Sequence, residues 1–200
     1  MRDLINQMPV AGAQAKLCRK IDVDCLMPVG TATSQADGTV TFTVDMSGSF
    51  AGYISVQSEG SVPTLYFFYP DVDRDQTVMI SLASPLANAG LLFQLGRTAA
   101  AGHGNVVISS QDCTGAPAAG VSYTTTSGDD MTAAFYTVGS LPTLKATETD
   151  SGGYGGLIGV PIGSATVSAT LAKPHTDLGT ISLLVQEGAI TYTQVLPVAK

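Results

Sequence analysis

Residues Ala165–Leu171 read ATVSATL, so that small apolar side chains alternate with threonine and serine. Alternation with a period of two is typical of a β-strand with one buried face and one solvated face. The same pattern recurs in four other segments: Thr39–Val44 (TVTFTV), Tyr53–Val56 (YISV), Thr180–Val185 (TISLLV) and Ala189–Val195 (AITYTQV). Glycine-containing turns separate the strands, at Ala36–Gly38, Ser127–Asp130 and Ser151–Gly156. Many short strands with regular turns predict an all-β fold of the sandwich type.

One segment, Pro85–Gly96 (PLANAGLLFQLG), breaks this alternation. Four apolar residues recur in it at helical spacing: Leu86, Ala89, Leu92 and Phe93. Ser84 precedes the segment as an N-cap residue and Gly96 ends it, which predicts a short helix. Small residues follow at 97–104, and we place a boundary there between a first domain, 1–97, and a second domain, 104–200.

The chain is acidic and sparsely charged. It has 16 acidic and 9 basic residues, a net charge of −7, and only 12% charged residues. Nucleic-acid binding requires clustered Lys and Arg side chains, and the densest basic group, Lys16, Arg19 and Lys20, is too small for that. We therefore expect no nucleic-acid partner, and an acidic surface of low charge fits an extracellular setting.

No segment predicts a transmembrane helix. The longest weakly polar run, Leu82–Leu95, is interrupted by polar residues and is too short to cross a bilayer. The opening residues MRDLINQMPVAG lack the apolar core of a signal peptide. A cytoplasmic protein would have such a sequence, and so would the mature part of a secreted protein. We favour the extracellular or cell-surface location and leave the cytoplasmic one open.

A phrase near the start of each half recurs along the chain. PVAGAQAKL at Pro9–Leu17 resembles PAAGVSYTT at Pro117–Thr125, and each precedes a Thr/Ala strand and an acidic turn with glycine. The segments Thr114–Tyr123 (TGAPAAGVSY) and Ala146–Thr170 (ATETDSGGYGGLIGVPIGSATVSAT) closely resemble those of the carboxypeptidase regulatory-like domain, which is a prealbumin (transthyretin)-like sandwich. Ala32–Val44 (ATSQADGTVTFTV) is a looser match.

This resemblance covers nearly the whole chain. It implies two prealbumin-like antiparallel Greek-key β-sandwiches joined through the short helix. The chain is also similar to the tandem sandwiches of bacterial surface proteins and lipoproteins, particularly those of myxobacteria. The turn Asp150–Gly153 requires a positive φ, which glycine adopts without a steric penalty.

The two halves differ at their first strand. The second half has NVVISSQDC at Asn105–Cys113 ahead of its Pro-Ala-Ala-Gly phrase, whereas the first has only the polar MRDLINQM at Met1–Met8. Either the first sandwich lacks its edge strand or the segment DLINQ at 3–7 forms a poor one. An uncovered edge pairs readily with another chain. Assembly by strand addition at this N-terminal edge, including a homo-oligomer, is therefore an alternative function.

Three cysteines are present. Cys18 and Cys25 are seven residues apart and would close a small loop in an oxidising compartment, while reduced, buried thiols are the alternative. Cys113 is then left over. A zinc site is not expected because no CxxC occurs and the chain has two histidines.

The segment Asp71–Leu82 (DVDRDQTVMISL) begins like an EF-hand calcium loop. Carboxylates occupy its first, third and fifth positions: Asp71, Asp73 and Asp75. Gln76 replaces the glycine at position six and Leu82 the glutamate at position twelve. The segment is a weak calcium candidate, to which Asp22 and Asp24 could add ligands; a solvated acidic turn is the favoured interpretation. We expect no cofactor, and calcium at this segment is the alternative.

No nucleophile elbow, phosphate-binding loop or metalloprotease motif occurs. His103 lies between glycines in the small-residue linker, which we expect to be flexible. His175 lies in the loop AKPHTDLG with Asp177 nearby, and the two side chains could orient each other. They are the only catalytic candidates, and we expect a protein that is not an enzyme.

The aromatic segment Thr64–Tyr69 (TLYFFY) follows the strand period. Leu65, Phe67 and Tyr69 face one side, and Tyr66 and Phe68 face the other. We expect one face to fill the core and the other to pack against the helix or the second domain, with stacking of a ligand such as a glycan as the alternative.

These patterns favour a non-catalytic extracellular β-sandwich module for adhesion, ligand binding or surface structure, with a cell-surface protein or a glycan as its ligand. The first alternative is a subunit of a larger surface assembly or filament. The second is an enzyme of unrecognised type.

Overall fold

The computed structural model describes residues 1–45 and 48–196. The first half contributes six strands: β1 (Arg2–Asp3), β2 (Gln14–Arg19), β3 (Gly30–Thr33), β4 (Gly52–Gln57), β5 (Thr64–Phe67) and β6 (Ser81–Leu82). One helix follows: α1 (Pro85–Gln94). The second half contributes eight strands: β7 (His103–Ser110), β8 (Val121–Thr125), β9 (Ala133–Val138), β10 (Leu141–Thr143), β11 (Tyr154–Pro161), β12 (Gly163–Leu171), β13 (Thr176–Val185) and β14 (Ile190–Val195).

A nine-stranded sheet in the order β10-β9-β11-β7-β14-β5-β4-β2-β3 runs through both halves. Its two halves meet at β14, where Ile190 lies opposite both Thr64 and Asn105 in parallel pairs. The predicted mostly-β fold with one short helix is therefore confirmed. Two separate antiparallel sandwiches are not confirmed because this sheet is shared, and the boundary between 1–97 and 104–200 stays a prediction.

A three-stranded sheet, β13-β12-β8, covers one face of the second half of the large sheet. The central core lies between these layers and is lined by alternate residues of β7, β11, β12 and β13, among them Val106, Ile108, Val167 and Leu183. The first half adds five residues to it: Cys18, Cys25, Tyr53, Leu65 and Phe67.

Two smaller cores lie on the other face of the large sheet. The helix core joins Leu92 and Leu95 to Phe135 and Ile158. The first-half core contains nine buried residues: Ala13, Ala15, Leu17, Phe50, Ile54, Val56, Tyr66, Ile80 and Leu82. Irregular segments cover it in place of a helix or a second sheet. Val40, Phe42, Val44 and Val78 are the parts of those segments that pack on it.

Helix α1 begins and ends as its sequence predicts. The Ser84 hydroxyl accepts a hydrogen bond from the Ala87 N–H at 3.1 Å, which caps the first turn. Gly96 follows the last turn with φ +66°, and the Arg97 N–H donates to the Leu92 carbonyl at 2.9 Å. The buried face differs from the prediction, because Leu86 and Phe93 are 82% and 81% exposed.

Four of the five alternating segments are confirmed as strands, within β4, β12, β13 and β14. The fifth, Thr39–Val44, is wrong as a strand because its backbone pairs with no other described strand. The predicted flexible linker is also shorter than expected, since β7 begins at His103.

The aromatic segment divides between the two faces with the predicted period. Leu65 and Phe67 enter the central core, where the Phe67 ring stacks on Tyr53 with centroids 4.7 Å apart. Tyr66 and Phe68 pack in the first-half core. Helix α1 does not cover them, because it packs on the second half, whereas Tyr192 of the second half packs on the same core. Tyr66 is 8% exposed, and stacking on a glycan stays a prediction.

The N-terminal residues pair with their own chain. Arg2 and Asp3 lie parallel to Ser81 and Leu82 of β6. Of the two alternatives, an edge strand formed by DLINQ is wrong. Residues 4–6 are a turn instead, because the Asp3 carboxylate accepts hydrogen bonds from two following backbone N–H groups.

Candidate functional site

Two irregular segments of the first half have no backbone partner among the described residues. Residues 40–45 and 73–79 form no backbone hydrogen bond with any other described residue. In the first of them Val40, Phe42 and Val44 are half-buried against the first-half core, while the threonines between them are exposed. The side chains alternate as in a half-buried strand, but the backbone lacks a ladder.

In the second half, the corresponding segment is a paired strand, β11, and a set of hydrogen bonds fixes the start of its pairing with β7. Ser110, at the end of β7, donates its N–H to the Gly153 carbonyl at 2.7 Å and accepts from the Ala118 N–H at 2.9 Å. The Thr149 hydroxyl accepts from the Val121 N–H at 3.0 Å and donates to the Ala118 carbonyl at 2.8 Å. We call this set of bonds the clasp.

The same bonds recur in the first half at corresponding residues. The α-amino group of Met1 donates to the Gly38 carbonyl at 2.5 Å, and the Val10 N–H donates to the Met1 carbonyl at 3.3 Å. The Ser34 hydroxyl accepts from the Ala13 N–H at 2.9 Å and donates to the Val10 carbonyl at 2.7 Å. Met1, Gly38 and Ser34 thus occupy the places of Ser110, Gly153 and Thr149.

Three further details correspond. Gly38 and Gly153 have φ of +77° and +71°, and each donates its N–H to a backbone carbonyl three residues earlier, that of Gln35 at 2.9 Å or Asp150 at 3.0 Å. The N–H of Arg2 donates to the Ile80 carbonyl at 3.0 Å, as that of Gln111 donates to the Val195 carbonyl at 2.9 Å. Asp3 and Asp112 each accept hydrogen bonds from the next loop.

The halves differ in whether a strand lies between the two corresponding segments. In the second half Gly104–Ser109 of β7 lies between β11 and β14, and its Val106 and Ile108 are fully buried. In the first half Met1 and Arg2 bond Gly38 on one side and Ile80 on the other. No described residue continues this line between the two unpaired segments. We call this place, flanked by residues 40–44 and 76–80, the open strand position.

Backbone polarity shows which groups face the open strand position. The Gly38 carbonyl faces Met1, whereas the Thr39 carbonyl faces the opposite side, where it accepts from the Gln35 N–H. Because lateral direction alternates along an extended chain, the N–H and C=O groups of Val40 and Phe42 face the open strand position. Their side chains meanwhile point into the first-half core.

The predicted calcium ligands do not converge. Asp71, Asp73 and Asp75 are exposed, and Asp73 pairs with the Arg74 guanidinium at 3.2 Å. Across residues 1–45 and 48–196, no group of three or more His, Cys, Asp or Glu side chains is placed to hold a metal ion. Calcium binding at this loop stays a prediction.

Asp22 and Asp24 lie on the other side of the large sheet from the Asp71–Asp75 loop. Their neighbour Cys25 belongs to the central core, whereas Val72 packs on the first-half core. The Asp22 carboxylate is already used, because it accepts from the backbone N–H groups of Leu26 at 3.0 Å and Met27 at 2.8 Å.

A disulfide joins Cys18 to Cys25, with Cα atoms 5.4 Å apart. The Tyr53 hydroxyl donates to the Asp22 carbonyl at 2.8 Å and thereby holds the loop. Burial, with the nearby Asp22 and Asp24 carboxylates, raises the pKa of Tyr53 to about 12. Cys113 is exposed as a free thiol. The oxidation state in the cell remains a prediction.

A small cleft lies where α1 meets β7 and β11, with a cavity of about 30 Å³. The Asn105 side-chain Oδ1 accepts from the Gly159 N–H at 3.2 Å, and its Nδ2 donates to the side-chain Oδ1 of Asn88 at 3.4 Å, which joins the helix to the sheet. Both asparagines are buried. Buried polar groups are usually paired in this way, and we interpret the network as structural.

His103 closes the rim of this cleft. Its Nε2 lies 2.9 Å from the Asp129 carboxylate and its Nδ1 lies 2.7 Å from the Ala101 carbonyl. The hydrogen bond to Asp129 raises the pKa of His103 and lowers that of Asp129. The pair ties β7 to the loop before β9.

The other catalytic candidates are separate. His175 is exposed with φ +37°, while Asp177 accepts from the Gly179 N–H at 2.8 Å. No hydrogen bond or ion pair joins these two side chains in the part of the chain that the structure describes. The structure therefore does not bring these two side chains together.

Sequence reasoning missed Ser34, Thr149 and the pair Asn88–Asn105. Ser34 and Thr149 both precede the acidic turn after the Pro-x-Ala-Gly phrase, so the repeat itself carried a signal for them. No sequence signal identified Asn88 and Asn105, because their hydrogen bond depends on how helix α1 packs against the sheet.

No protein-family model matches this sequence, and no curated protein matches it. Among solved structures, the Bacillus anthracis TIE protein aligns over 96% of this chain at 12% identity and a TM-score of 0.30. The chain spans 32% of the length of that protein.

Shaft pilin SpaA from Lactobacillus rhamnosus GG, in two variant forms, aligns over 98% of this chain and 95% or 90% of the pilin. The identities are 10% and 11%, and the TM-scores are 0.28 and 0.30. Likenesses this distant carry no argument about the fold or function of this chain. The described part of the chain has no helix with the length and hydropathy that a membrane crossing requires.

Proposed function

We propose that this chain is a non-catalytic module of an extracellular surface, and that it serves as a subunit of an assembly joined by strand addition at the N-terminal edge of its first half. The open strand position carries this proposal. Residues 40–44 have the alternating packing of a strand, and the backbones of 40–45 and 73–79 are unpaired among the described residues. Unpaired strand backbones are a template for a strand from another chain.

Two observations support the extracellular setting. The Cys18–Cys25 disulfide belongs to an oxidising compartment, and the charged fraction of 12% is low. Alkylation of the protein as it is produced by its own cell tests this point. We expect one reactive thiol, Cys113; three reactive thiols would contradict an oxidising location.

A protein strand is the ligand class that this site fits, in preference to a glycan or a nucleic acid. The polar groups that it presents are backbone N–H and C=O groups, and its floor is apolar. A net charge of −7 also disfavours phosphate-rich partners.

Hydrogen exchange on the isolated chain tests the proposal. Val40 and Phe42 correspond to Gly155 and Leu157, which lie in the ladder between β11 and β7. We expect the Val40 and Phe42 amides to exchange at least about a hundredfold faster than those two amides. Comparable protection at both pairs would show that the position is already closed and would overturn the proposed function.

The finer assignment is that both halves are carboxypeptidase regulatory-like sandwiches in tandem. The recurring clasp supports it, because ten residues, eight of them within the repeated phrases, make corresponding bonds. If each clasp serves its own sandwich, the urea stability losses of Ser34→Ala and Thr149→Val add within about 0.5 kcal/mol. A larger coupling would contradict two separate copies.

A further inference from the structure

The cleft beside α1 contains an amide group that the contact between helix and sheet does not use. The Gly159 N–H fixes the Asn105 Oδ1 as an acceptor, so the Asn105 Nδ2 faces Asn88 and selects its Oδ1. The Asn88 Nδ2 is left over, and no hydrogen bond joins it to any described residue. Asn88 is only 7% exposed. A buried amide donor costs free energy when nothing accepts its hydrogen bonds.

This Nδ2 group opens into the cleft. Within residues 1–45 and 48–196, every fully enclosed side-chain nitrogen or oxygen has a hydrogen-bond partner. Because the Asn88 Nδ2 has none there, it must reach accessible space, and the cleft is the space that Asn88 lines. The cavity of about 30 Å³ has room for a carboxylate-sized group or about two water molecules.

Two further donors border the same cavity. Arg97 and Thr98 follow α1 and line the cleft. The Arg97 side chain is half-buried, and its guanidinium forms no ion pair or hydrogen bond with the described part of the chain. The Thr98 hydroxyl has no hydrogen-bond partner there either. An amide N–H, a guanidinium and a hydroxyl together favour an acceptor that carries negative charge.

The charges around the cleft agree with an anion. Arg97 and His103 are the charged or titratable side chains of its lining, and both are basic. Two neighbouring acidic side chains already have partners: Asp129 bonds His103 at 2.9 Å, and Glu187 accepts from the Gly102 N–H at 2.9 Å. Both ring nitrogens of His103 are also in use. One unpaired guanidinium matches the single charge of a carboxylate and its two oxygens.

An apolar pocket, which we call the outer pocket, lies next to the cleft. Its volume is about 470 Å³, within the range of small-ligand sites, and it shares Arg97 and Thr98 with the cleft. Phe93 and Met131 form its apolar walls. The Phe93 ring belongs to the face of α1 that was expected to be buried, yet it is 81% exposed. An apolar group beside these two side chains would remove them from water.

From these observations we infer that the cleft and the outer pocket together bind a carboxylate that is attached to an apolar group. The carboxylate oxygens accept hydrogen bonds from the Asn88 Nδ2 and the Arg97 guanidinium, and the Thr98 hydroxyl supplies a third donor. The apolar group lies against Phe93 and Met131. A free apolar acid presents this chemistry, and so does the C-terminus of a peptide that ends in an apolar residue. The site is separate from the open strand position.

NMR titration of phenylacetate into the isotopically labelled full chain tests this inference. We expect saturable shifts of the Asn88 side-chain amide and the Arg97 Nε–H signals. Phenylacetamide should bind at least about tenfold more weakly, because a neutral amide loses the charge-assisted hydrogen bonds. Acetate should also bind at least about tenfold more weakly, because it lacks the apolar group. Equal affinities for phenylacetate and phenylacetamide would overturn the inference.

Matched variants locate the two ends of the ligand. Arg97→Met keeps the length of the side chain but removes its charge, and it should weaken phenylacetate binding at least about tenfold. Arg74→Met, at an exposed arginine of the first half, is its control and should leave the affinity unchanged. Phe93→Ala should weaken binding about fivefold, whereas Gln94→Ala, at the next exposed position of α1, should not. A loss in either variant no larger than in its control would contradict the assigned contacts.

Asn88→Asp tests the buried amide. The new Oδ1 still accepts from the Asn105 Nδ2, but the second oxygen is an anionic acceptor where the ligand needs a donor. We expect binding of phenylacetate to be lost, with urea unfolding as the check on the fold. Wild-type affinity in Asn88→Asp would show that the amide is not part of the site. If this variant does not fold, Arg97→Met and Phe93→Ala decide, because neither side chain is buried.

A second titration identifies the source of the carboxylate. The peptide acetyl-Gly-Gly-Phe with a free C-terminus is compared with its C-terminal amide and with phenylacetate. Saturation by phenylacetate alone assigns the site to free apolar acids, and tighter binding of the peptide acid than of its amide assigns it to a chain terminus. No saturable binding of either acid overturns the inference. Both results leave the proposed function untouched, because that function is tested at Val40 and Phe42.

Discussion

Gly38 and Gly153 close corresponding turns in the two halves, yet the chain that follows is paired only in the second. After Gly153, β11 lies between β7 and β9 in a continuous ladder. After Gly38, residues 40–45 are extended and pack by alternate side chains, without a backbone partner among the described residues. The local sequence is strand-like in both places, and the difference is the neighbouring strand.

This comparison separates two kinds of information in a sequence. The clasp joins residues that lie within about forty positions of each other in the sequence. It needs a turn that ends in a glycine with positive φ, and a buried Ser or Thr hydroxyl that bonds two backbone groups. The ladder depends on a partner strand that alternation in one segment does not reveal. An alternating sequence pattern therefore shows which side chains of a segment are buried. It does not show whether the backbone of that segment pairs with another strand.

The largest effect is expected when the two turn glycines are replaced. A Cβ at Gly153 would lie 2.5 Å from the Ser110 carbonyl and 3.0 Å from the Ala118 nitrogen, at a φ of +71°. Strain and overpacking together should lower the free energy of unfolding by about 3–4 kcal/mol for Gly153→Ala. Gly38→Ala should cost about half as much, since Met1 is held by fewer bonds and can shift. Urea unfolding measures both, and equal costs would show that the first-half edge is as rigid as β7.

The disulfide distinguishes the first half next. Cys18 and Cys25 are seven residues apart, and closing so short a loop restricts the unfolded chain by about 2.5 kcal/mol. The double variant Cys18→Ala, Cys25→Ala should lose about that amount in urea unfolding. Cys113→Ala, at an exposed free thiol, is the control and should change stability by less than about 0.5 kcal/mol. A loss as small as that of the control would mean that neither the bond nor the packing of the two buried sulfurs stabilises the fold.

The clasp hydroxyls test whether the halves are equally well closed. Thr149→Val keeps the shape but leaves the buried Val121 N–H without its acceptor, which should cost about 2 kcal/mol. Ser34→Ala removes the corresponding acceptor from Ala13 and should cost about 1 kcal/mol, because water reaches the open first-half edge more easily. Urea unfolding of each variant gives the ratio. A larger loss at Ser34 would contradict the view that the first-half edge is the looser one.

Much of the fold could be predicted from local patterns. The alternation in Ala165–Leu171 and Thr180–Val185 identified β12 and β13, and Ser84 with Gly96 marked both ends of α1. These signals are short-range, because capping, turns and face periodicity act within a few residues. The repeated Pro-x-Ala-Gly phrase located both clasps, although their hydroxyls were not recognised.

The rest depended on contacts between distant residues. The parallel pairing of Ile190 with Thr64 joins the halves across more than a hundred positions, and no local pattern encodes it. The same limit explains why the helix was placed over Tyr66 instead of over Phe135. The open strand position was foreseen only as a weak N-terminal edge. Its boundaries became visible when corresponding hydrogen bonds could be compared.

The smallest effect is expected at His103 and Asp129, a pair that only the second half contains. The hydrogen bond to Asp129 raises the pKa of His103 above 6.5, so its stabilisation is fully present below pH 6.5 and is lost as pH rises through the folded-state value. The pKa of Asp129 is lowered, so its stabilisation is present above pH 3.8 and is lost as pH falls through its folded-state value. Between these limits both groups are charged and the loop before β9 is held to β7.

NMR titration of the His103 ring checks this pair. In Asp129→Asn the pKa of His103 should fall towards its ordinary value, because the charged acceptor at 2.9 Å is replaced by a neutral one. Asp130→Asn is the matched control, since it removes the adjacent acidic side chain and leaves the bond in place. An equal fall in both variants would mean that general negative charge, and not the Asp129 contact, sets the pKa. The stability difference between the two variants should then also disappear, because the linkage follows the shift.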